Sequence, residues 1–76
     1  MKEDEIRFFR TCWKHRAFVK PRHIIDIVCE FINYKRCYYL LEKWSRLGFY
    51  EWGVNIGLGW FEPDKMPERY KVLLEE

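Results

Sequence analysis

A basic amphipathic segment of the chain leads through a glycine into two short aromatic segments. Residues 33–47 carry apolar side chains at helical spacing on one side and mostly charged side chains on the other. Gly48 follows, and glycine readily takes the positive φ that ends a helix. Residues 49–52 and 58–61 are rich in aromatic side chains and flank a turn with glycine at each end. This order predicts a helix, a stop and a β-hairpin.

The helix before Gly48 is predicted to begin after Asn33, a residue that caps helix N-termini well. One continuous helix over residues 22–47 is the alternative, but so long a helix would be hard to stabilise in so small a domain. The apolar side of this third helix comprises Cys37, Leu40, Leu41, Trp44 and Leu47. Its polar side comprises Lys35, Tyr39, Glu42, Lys43 and Arg46, with Arg36 at the edge.

The remaining segments predict further short elements around this one. Residues 3–17 read as a first helix, whose apolar stripe is Ile6, Phe9, Trp13 and Ala17. Phe8 and Cys12 lie beside that stripe, so the apolar sector is wide and the helix is expected to be well buried. Residues 17–20 precede a proline and favour extended backbone, which predicts a short edge strand beside the hairpin. Residues 67–76 predict a C-terminal helix, with an extended tail as the alternative. Residues 21–31 read as a second helix with Ile24, Ile25, Val28, Phe31 and Ile32 on one side.

The length of 76 residues predicts a single domain covering residues 1–76. So short a chain needs large side chains in its core, and six Phe, five Tyr and four Trp supply them. There is no run of about 18 apolar residues, so we expect no membrane partner. Three cysteines without a CxxC pair favour a reducing cytoplasm and small buried thiols over disulfides.

Motifs of catalysis and cofactor binding are absent from the sequence. It contains no phosphate-binding loop, dinucleotide-binding turn or nucleophile elbow. Cys12 and His15 form a C-x-x-H pair, but no second pair completes a zinc site. We therefore expect no enzyme, metal, cofactor or small-molecule substrate.

The positive charge is concentrated in the first two-thirds of the chain. Residues 7–46 hold ten Lys or Arg against three acids, whereas residues 1–6 and 47–76 are each net acidic. This asymmetry is typical of nucleic-acid-binding proteins and is hidden in the formal net charge of +2. The alternative is an ordinary solvated helix face, in which Glu42 pairs with part of the basic charge of the third helix. On the first helix, Lys14, His15 and Arg16 lie in the predicted last turn and would complement the helix dipole.

The order of helix, short strand, helix, turn, helix and hairpin resembles the winged helix-turn-helix superfamily. The pattern Cys37-x-x-x-Leu41-x-x-Trp44-x-x-x-Gly48-Phe49 is similar to its recognition helix and first wing strand. The likeness covers most of the chain and loosely extends to small domains of phage and prophage origin. It implies an α+β fold of three helices and a β-hairpin wing, followed by a short C-terminal helix or tail.

The resemblance implies a small DNA-binding protein, a transcriptional regulator, that contacts double-stranded DNA through the basic face of helix 3. That helix would enter the major groove with its N-terminal half leading. The predicted DNA contacts are Arg22 at the start of helix 2, and Lys35, Arg36, Tyr39, Lys43 and Arg46 on helix 3.

The predicted wing favours a different partner. Its tip carries no Lys or Arg to reach DNA, and Val54 and Ile56 are expected to be exposed there. Exposed apolar side chains at a loop tip are typical of a protein contact, for example with a second copy of the chain. The alternative function is therefore a winged-helix protein-interaction or assembly module, which includes a homodimer.

Overall fold

Residues 1–75 are described by a computed structural model, which contains α-helices and a two-stranded antiparallel hairpin. The α+β prediction is confirmed, and the element order is consistent with a winged-helix-like layout. Short 3-10 helices follow within the hairpin loop and on either side of the last helix. The principal elements are α1 (Glu3–Lys14), α2 (Pro21–Val28), α3 (Tyr34–Arg46), β1 (Tyr50–Glu51), β2 (Trp60–Phe61) and α4 (Glu68–Lys71).

The core is organised around the ring of Phe9, which is fully buried. Its centroid lies 5.5 Å from that of Trp44 on α3, 5.8 Å from Phe61 on β2 and 5.2 Å from Tyr70 on α4. Each of these pairs is edge-to-face or close to it, an arrangement worth about 0.5–1.5 kcal/mol beyond area burial. One ring on α1 therefore ties α3, the hairpin and α4 together.

The face that α1 buries is centred on Phe9 of the predicted stripe and on Phe8 and Cys12, which the sequence places beside that stripe. Ile6 and Trp13 are only partly buried, and Ala17 is exposed because the helix ends at Lys14. Glu5 also belongs to the buried face, although a glutamate in a sequence is ordinarily expected to be exposed to solvent. The face that α1 buries comprises Glu5, Phe8, Phe9 and Cys12.

Two separate helices replace the alternative of one continuous helix. The Asn33 side chain accepts a hydrogen bond from the Lys35 backbone N–H at 2.8 Å, so the predicted N-cap is confirmed. The second helix ends at Val28 and leaves Phe31 exposed, not on the apolar side as predicted. At the other end of α3, Leu47 is also exposed, because it follows the last helical turn.

The hairpin forms where it is predicted, with strands of two residues each. Gly48 has a φ of 93°, as its predicted role at the end of α3 requires. Tyr50 pairs with Phe61 and Glu51 with Trp60. Between these strands, a Cβ at Gly59 would lie 2.2 Å from the Glu51 carbonyl oxygen, so a side chain there would force the strands apart.

The loop of the hairpin folds back onto the helices, which changes the prediction for its tip. Val54 is fully exposed, as predicted, but Ile56 is partly buried against the core, so its predicted exposure is wrong. The Ile56 carbonyl accepts a hydrogen bond from the Tyr50 hydroxyl, which also accepts one from the Gly59 N–H at 3.0 Å. These two bonds close the loop around Tyr50.

Three smaller predictions are corrected. Residues 17–20 form no strand, and Lys20 instead reaches the Gly59 carbonyl through its Nζ at 3.3 Å. The C-terminal helix is shorter than predicted: α4 passes at Val72 into a 3-10 turn, and Glu76 lies outside the described residues. Cys12 and Cys37 are buried thiols, as predicted, whereas Cys29 is exposed.

Among residues 1–75, no helix has the length and hydrophobicity needed to cross a membrane.

Candidate nucleic-acid interface

The basic side chains of α3 that were predicted to contact DNA are largely engaged by acids. Arg36 donates to both carboxylate oxygens of Asp4 on α1, from Nε at 3.0 Å and from a terminal nitrogen at 3.3 Å. The Arg36 hydrogen bond holds the pKa of Asp4 below its usual value, and the same bond raises the pKa of Arg36. This two-pronged geometry is the stronger form of the arginine–carboxylate pair.

Lys43 is bound to the buried carboxylate of Glu5. Its Nζ donates to Oε1 at 2.9 Å, while Trp44 Nε1 and the Tyr70 hydroxyl donate to Oε2 at 3.0 and 2.6 Å. Burial alone would raise the pKa of Glu5, but the hydrogen bonds from Tyr70, Lys43 and Trp44 outweigh it and lower the pKa. Glu5 is only 1% exposed, so Lys43 is committed to a structural ion pair.

On the solvent face of α3, Lys35 and Tyr39 are the predicted contact residues that remain exposed without an acidic partner in the described part of the chain. Arg46 pairs with Glu42 one turn earlier, and both side chains are exposed. Lys35 is exposed and makes no side-chain ion pair within residues 1–75. Tyr39 is exposed beside Arg36, whose guanidinium lies 5.4 Å from its ring centroid. The α3 face alone therefore offers less free positive charge than its sequence predicts.

A second basic region lies at the junction of α1 and α2. We call residues 14–23 the basic loop, because they hold four Lys or Arg and two His without any acid. The four cations are exposed, and no Asp or Glu in the described part of the chain pairs with them. The basic loop includes the first turn of α2, and that turn contains no acidic side chain that could interact with the positive end of the helix dipole. These cations are Lys14, Arg16, Lys20 and Arg22.

Arg22 places the basic loop next to α3. A Cβ built on Gly57 would lie 3.0 Å from Arg22 Cβ and 3.4 Å from the Tyr38 hydroxyl, so these two side chains meet at the same glycine. Tyr38 in turn contacts Tyr34 at the first turn of α3, with ring centroids 5.0 Å apart. Arg22 is thus at the start of α2, as predicted, and adjoins the exposed N-terminal half of α3.

Beside the basic loop, the structure forms a cleft of about 160 Å³ between the α1–α2 connection and β2. Arg16 and Lys20 lie on its helical side, and Trp60 on its hairpin side. Trp60 is 48% exposed, and its Nε1 donates to Glu62 at 2.9 Å, which fixes the orientation of the indole. We call this the aromatic cleft; its full lining is Cys12, Arg16, Val19, Lys20, Pro21, Tyr50, Gly59, Trp60 and Phe61.

The sequence contains a signal for the basic loop that the net charge of residues 7–46 does not reveal. Residues 6–25 are a stretch without any acid and include six Lys or Arg. Attributing Lys14, His15 and Arg16 to the dipole of the first helix hides that signal, because α1 ends at Lys14 and the other two lie beyond it. The aromatic cleft has no such signal, since it depends on how β2 packs beside the α1–α2 connection.

Comparison with known proteins identifies no relative of this chain. Within residues 1–75, no three His, Cys, Asp or Glu side chains are grouped closely enough to hold a metal ion. No family model matches the sequence, and no curated protein or solved structure matches the chain.

Proposed function

We propose that this protein binds double-stranded DNA through a surface formed by the basic loop and the adjoining N-terminal half of α3. The supporting observation is the basic loop itself, with four exposed cations and no acidic partner in the described part of the chain. Unpaired cations can neutralise phosphates, and phosphate neutralisation supplies most of the affinity of DNA-binding proteins. Lys35 and Tyr39 would then lie nearest the bases, and transcriptional regulation is the corresponding role.

Salt dependence is the first test of this proposal. Fluorescence anisotropy with a labelled random duplex of about 20 base pairs would be measured at about 50 mM and about 200 mM NaCl. If four phosphates are neutralised, affinity falls roughly a hundredfold over that range. Binding that hardly weakens between these two salt concentrations would contradict the proposal.

A paired comparison of variants assigns the charge to the basic loop. The Lys14→Ala/Arg22→Ala variant should reduce the slope of log affinity against log salt by about two, because two phosphate contacts are lost. The matched control is Arg69→Ala/Lys71→Ala on α4, which removes the same charge from another exposed part of the chain. Equal losses in the two variants would indicate a response to net charge and would overturn the assignment to the basic loop.

A second candidate function, self-association through the hairpin loop, is supported by its exposed apolar side chains. Val54 is fully exposed, and Trp52 and Leu58 on either side of it are also exposed. Sedimentation velocity over a range of concentrations would compare the wild type with Val54→Asp and with the control Val72→Asp near the C-terminus. Loss of a dimer in the first variant alone would support this function. Ile56 is unsuitable for the test, since its partly buried side chain contributes to folding.

A further inference from the structure

The aromatic cleft combines a flat aromatic wall with cations at its helical side. The Trp60 indole is half exposed and is held in place by Glu62, so one of its surfaces can be offered to a ligand without reorganisation. Val19, Pro21 and Phe61 add apolar lining. A cleft of about 160 Å³ with such walls can hold a single planar ring system in contact with the indole.

The two cations of the cleft are positioned but not neutralised. Arg16 lies with its guanidinium carbon 3.7 Å from the centre of the Trp13 ring and donates to the Trp13 carbonyl at 2.8 Å. Lys20 Nζ contacts the Gly59 carbonyl at 3.3 Å, which is a hydrogen bond and leaves the full positive charge. No carboxylate of residues 1–75 forms an ion pair with either side chain. The cleft therefore suits a ligand in which an anionic group adjoins a planar ring.

We propose that the aromatic cleft takes one unpaired nucleotide of a nucleic-acid strand, with its base stacked on Trp60 and its phosphate between Arg16 and Lys20. This deepens the proposed function and rests on it. Base stacking on an aromatic side chain strengthens binding by about tenfold or more per base and does not depend on the sequence. Because a paired base has no free face inside a duplex, the cleft serves single strands and the unpaired ends of duplexes.

The binding preference follows from this arrangement. A duplex with a short single-stranded overhang should bind more tightly than the blunt duplex of the same length, because the overhang fills the cleft while the paired part contacts the basic loop. The gain should disappear when the overhang consists of abasic sugar-phosphates, which retain the charge and lack the base.

The test measures the binding of a labelled thymidine oligonucleotide of about ten nucleotides and of an abasic oligonucleotide of the same length. Trp60→Ala should weaken binding of the thymidine oligonucleotide about tenfold and leave abasic binding unchanged, since one stacked base is lost. Trp60→Phe should restore most of the affinity. The matched control, Trp52→Ala, removes an indole of similar exposure that is not part of the cleft lining. Circular dichroism would establish that each variant is folded at the temperature of the assay.

The outcomes separate the cleft from the proposed function. Tight binding of blunt duplex without binding of the thymidine oligonucleotide, or equal effects of the Trp60→Ala and Trp52→Ala variants, would overturn the nucleotide site and leave duplex binding intact. Failure of both nucleic acids to bind would overturn both. Should an acidic peptide with a single phenylalanine displace the thymidine oligonucleotide and bind more tightly, the cleft would be a peptide site and the proposal would be wrong.

Discussion

The exposed side of α3 and the basic loop carry similar positive charge in the sequence but differ in what their cations contact. On α3, Arg36, Lys43 and Arg46 each pair with a carboxylate. In the basic loop, the four cations are exposed and none pairs with an acid of the described residues. A cation held in a partly buried pair, such as Arg36 or Lys43, has lost much of its capacity to neutralise phosphate. The distribution of acids, as much as that of bases, therefore decides where a polyanion can bind.

The difference arises from the packing of α1 against α3. The acidic first turn of α1 lies beside the basic side of α3, so Asp4 meets Arg36 and Glu5 meets Lys43. The opposite end of α1 leads into the basic loop, where the chain supplies no acid. The helix with an acidic start and a basic end therefore stabilises α3 with one end and leaves charge available at the other.

Removing the acid of the buried pair should have the largest effect. Glu5→Gln leaves the ammonium group of Lys43 without its carboxylate and disturbs the bonds from Trp44 and Tyr70, so we expect a loss of about 3 kcal/mol in the free energy of unfolding. Urea denaturation followed by circular dichroism would measure it. The control Glu3→Gln changes an exposed acid of the same turn and should alter stability by less than about 0.5 kcal/mol. Equal stabilities of the two variants would mean that the Glu5 cluster does not hold α1 to α3 and α4.

The same cluster predicts how stability depends on pH. The folded-state pKa of Glu5 lies below its ordinary value of 4.5, so the unfolded chain takes up the proton first as the pH falls. The stabilisation is complete above about pH 5 and is lost as the pH drops through the lowered pKa. The free energy of unfolding of the wild type should thus fall more steeply below pH 4.5 than that of Glu5→Gln, in urea titrations at a series of pH values. Parallel pH profiles would contradict the assignment.

Local sequence signals predict the two ends of α3 well, because short-range chemistry determines them. The Asn33 side chain caps α3 by accepting a hydrogen bond from the Lys35 N–H, two residues along the chain. Gly48 takes the positive φ that ends the helix. The contacts of Glu5 could not be predicted, because its partners at Lys43 and Tyr70 lie 38 and 65 residues away. Among the predicted DNA contacts, the sequence places Arg22 and Lys35 on the surface but gives no means of knowing that Arg36 would be bound to Asp4.

The Asp4→Asn variant would make α3 more like the basic loop, because it removes the acid that pairs with Arg36. It removes the negative charge that holds Arg36 and should free that guanidinium beside Tyr39 on the exposed side of α3. We expect the affinity for duplex DNA to rise severalfold at low salt, with the salt slope steeper by about one, because one more phosphate can be neutralised. Anisotropy titrations at several salt concentrations would measure both quantities.

The control for that variant is Asp64→Asn, which changes the net charge equally in the 3-10 turn after β2. If the two variants gain affinity equally, the effect is one of net charge and Arg36 has no place in the interface. A gain confined to Asp4→Asn would indicate that the Asp4 ion pair keeps Arg36 from contributing to DNA binding in the wild type.

The exposed pair on α3 should have the smallest effect on stability. Arg46 and Glu42 are both largely exposed, and such a pair one helical turn apart contributes about 0.3–0.5 kcal/mol. Glu42→Gln should therefore change the free energy of unfolding by no more than about 0.5 kcal/mol, as measured by urea denaturation. Because its ion pair is weak and solvated, Arg46 can exchange a carboxylate for a phosphate at little cost, unlike Lys43 on the buried Glu5. A loss above about 1 kcal/mol would place this pair with the structural ones and leave Lys35 as the main cation that α3 can offer to DNA.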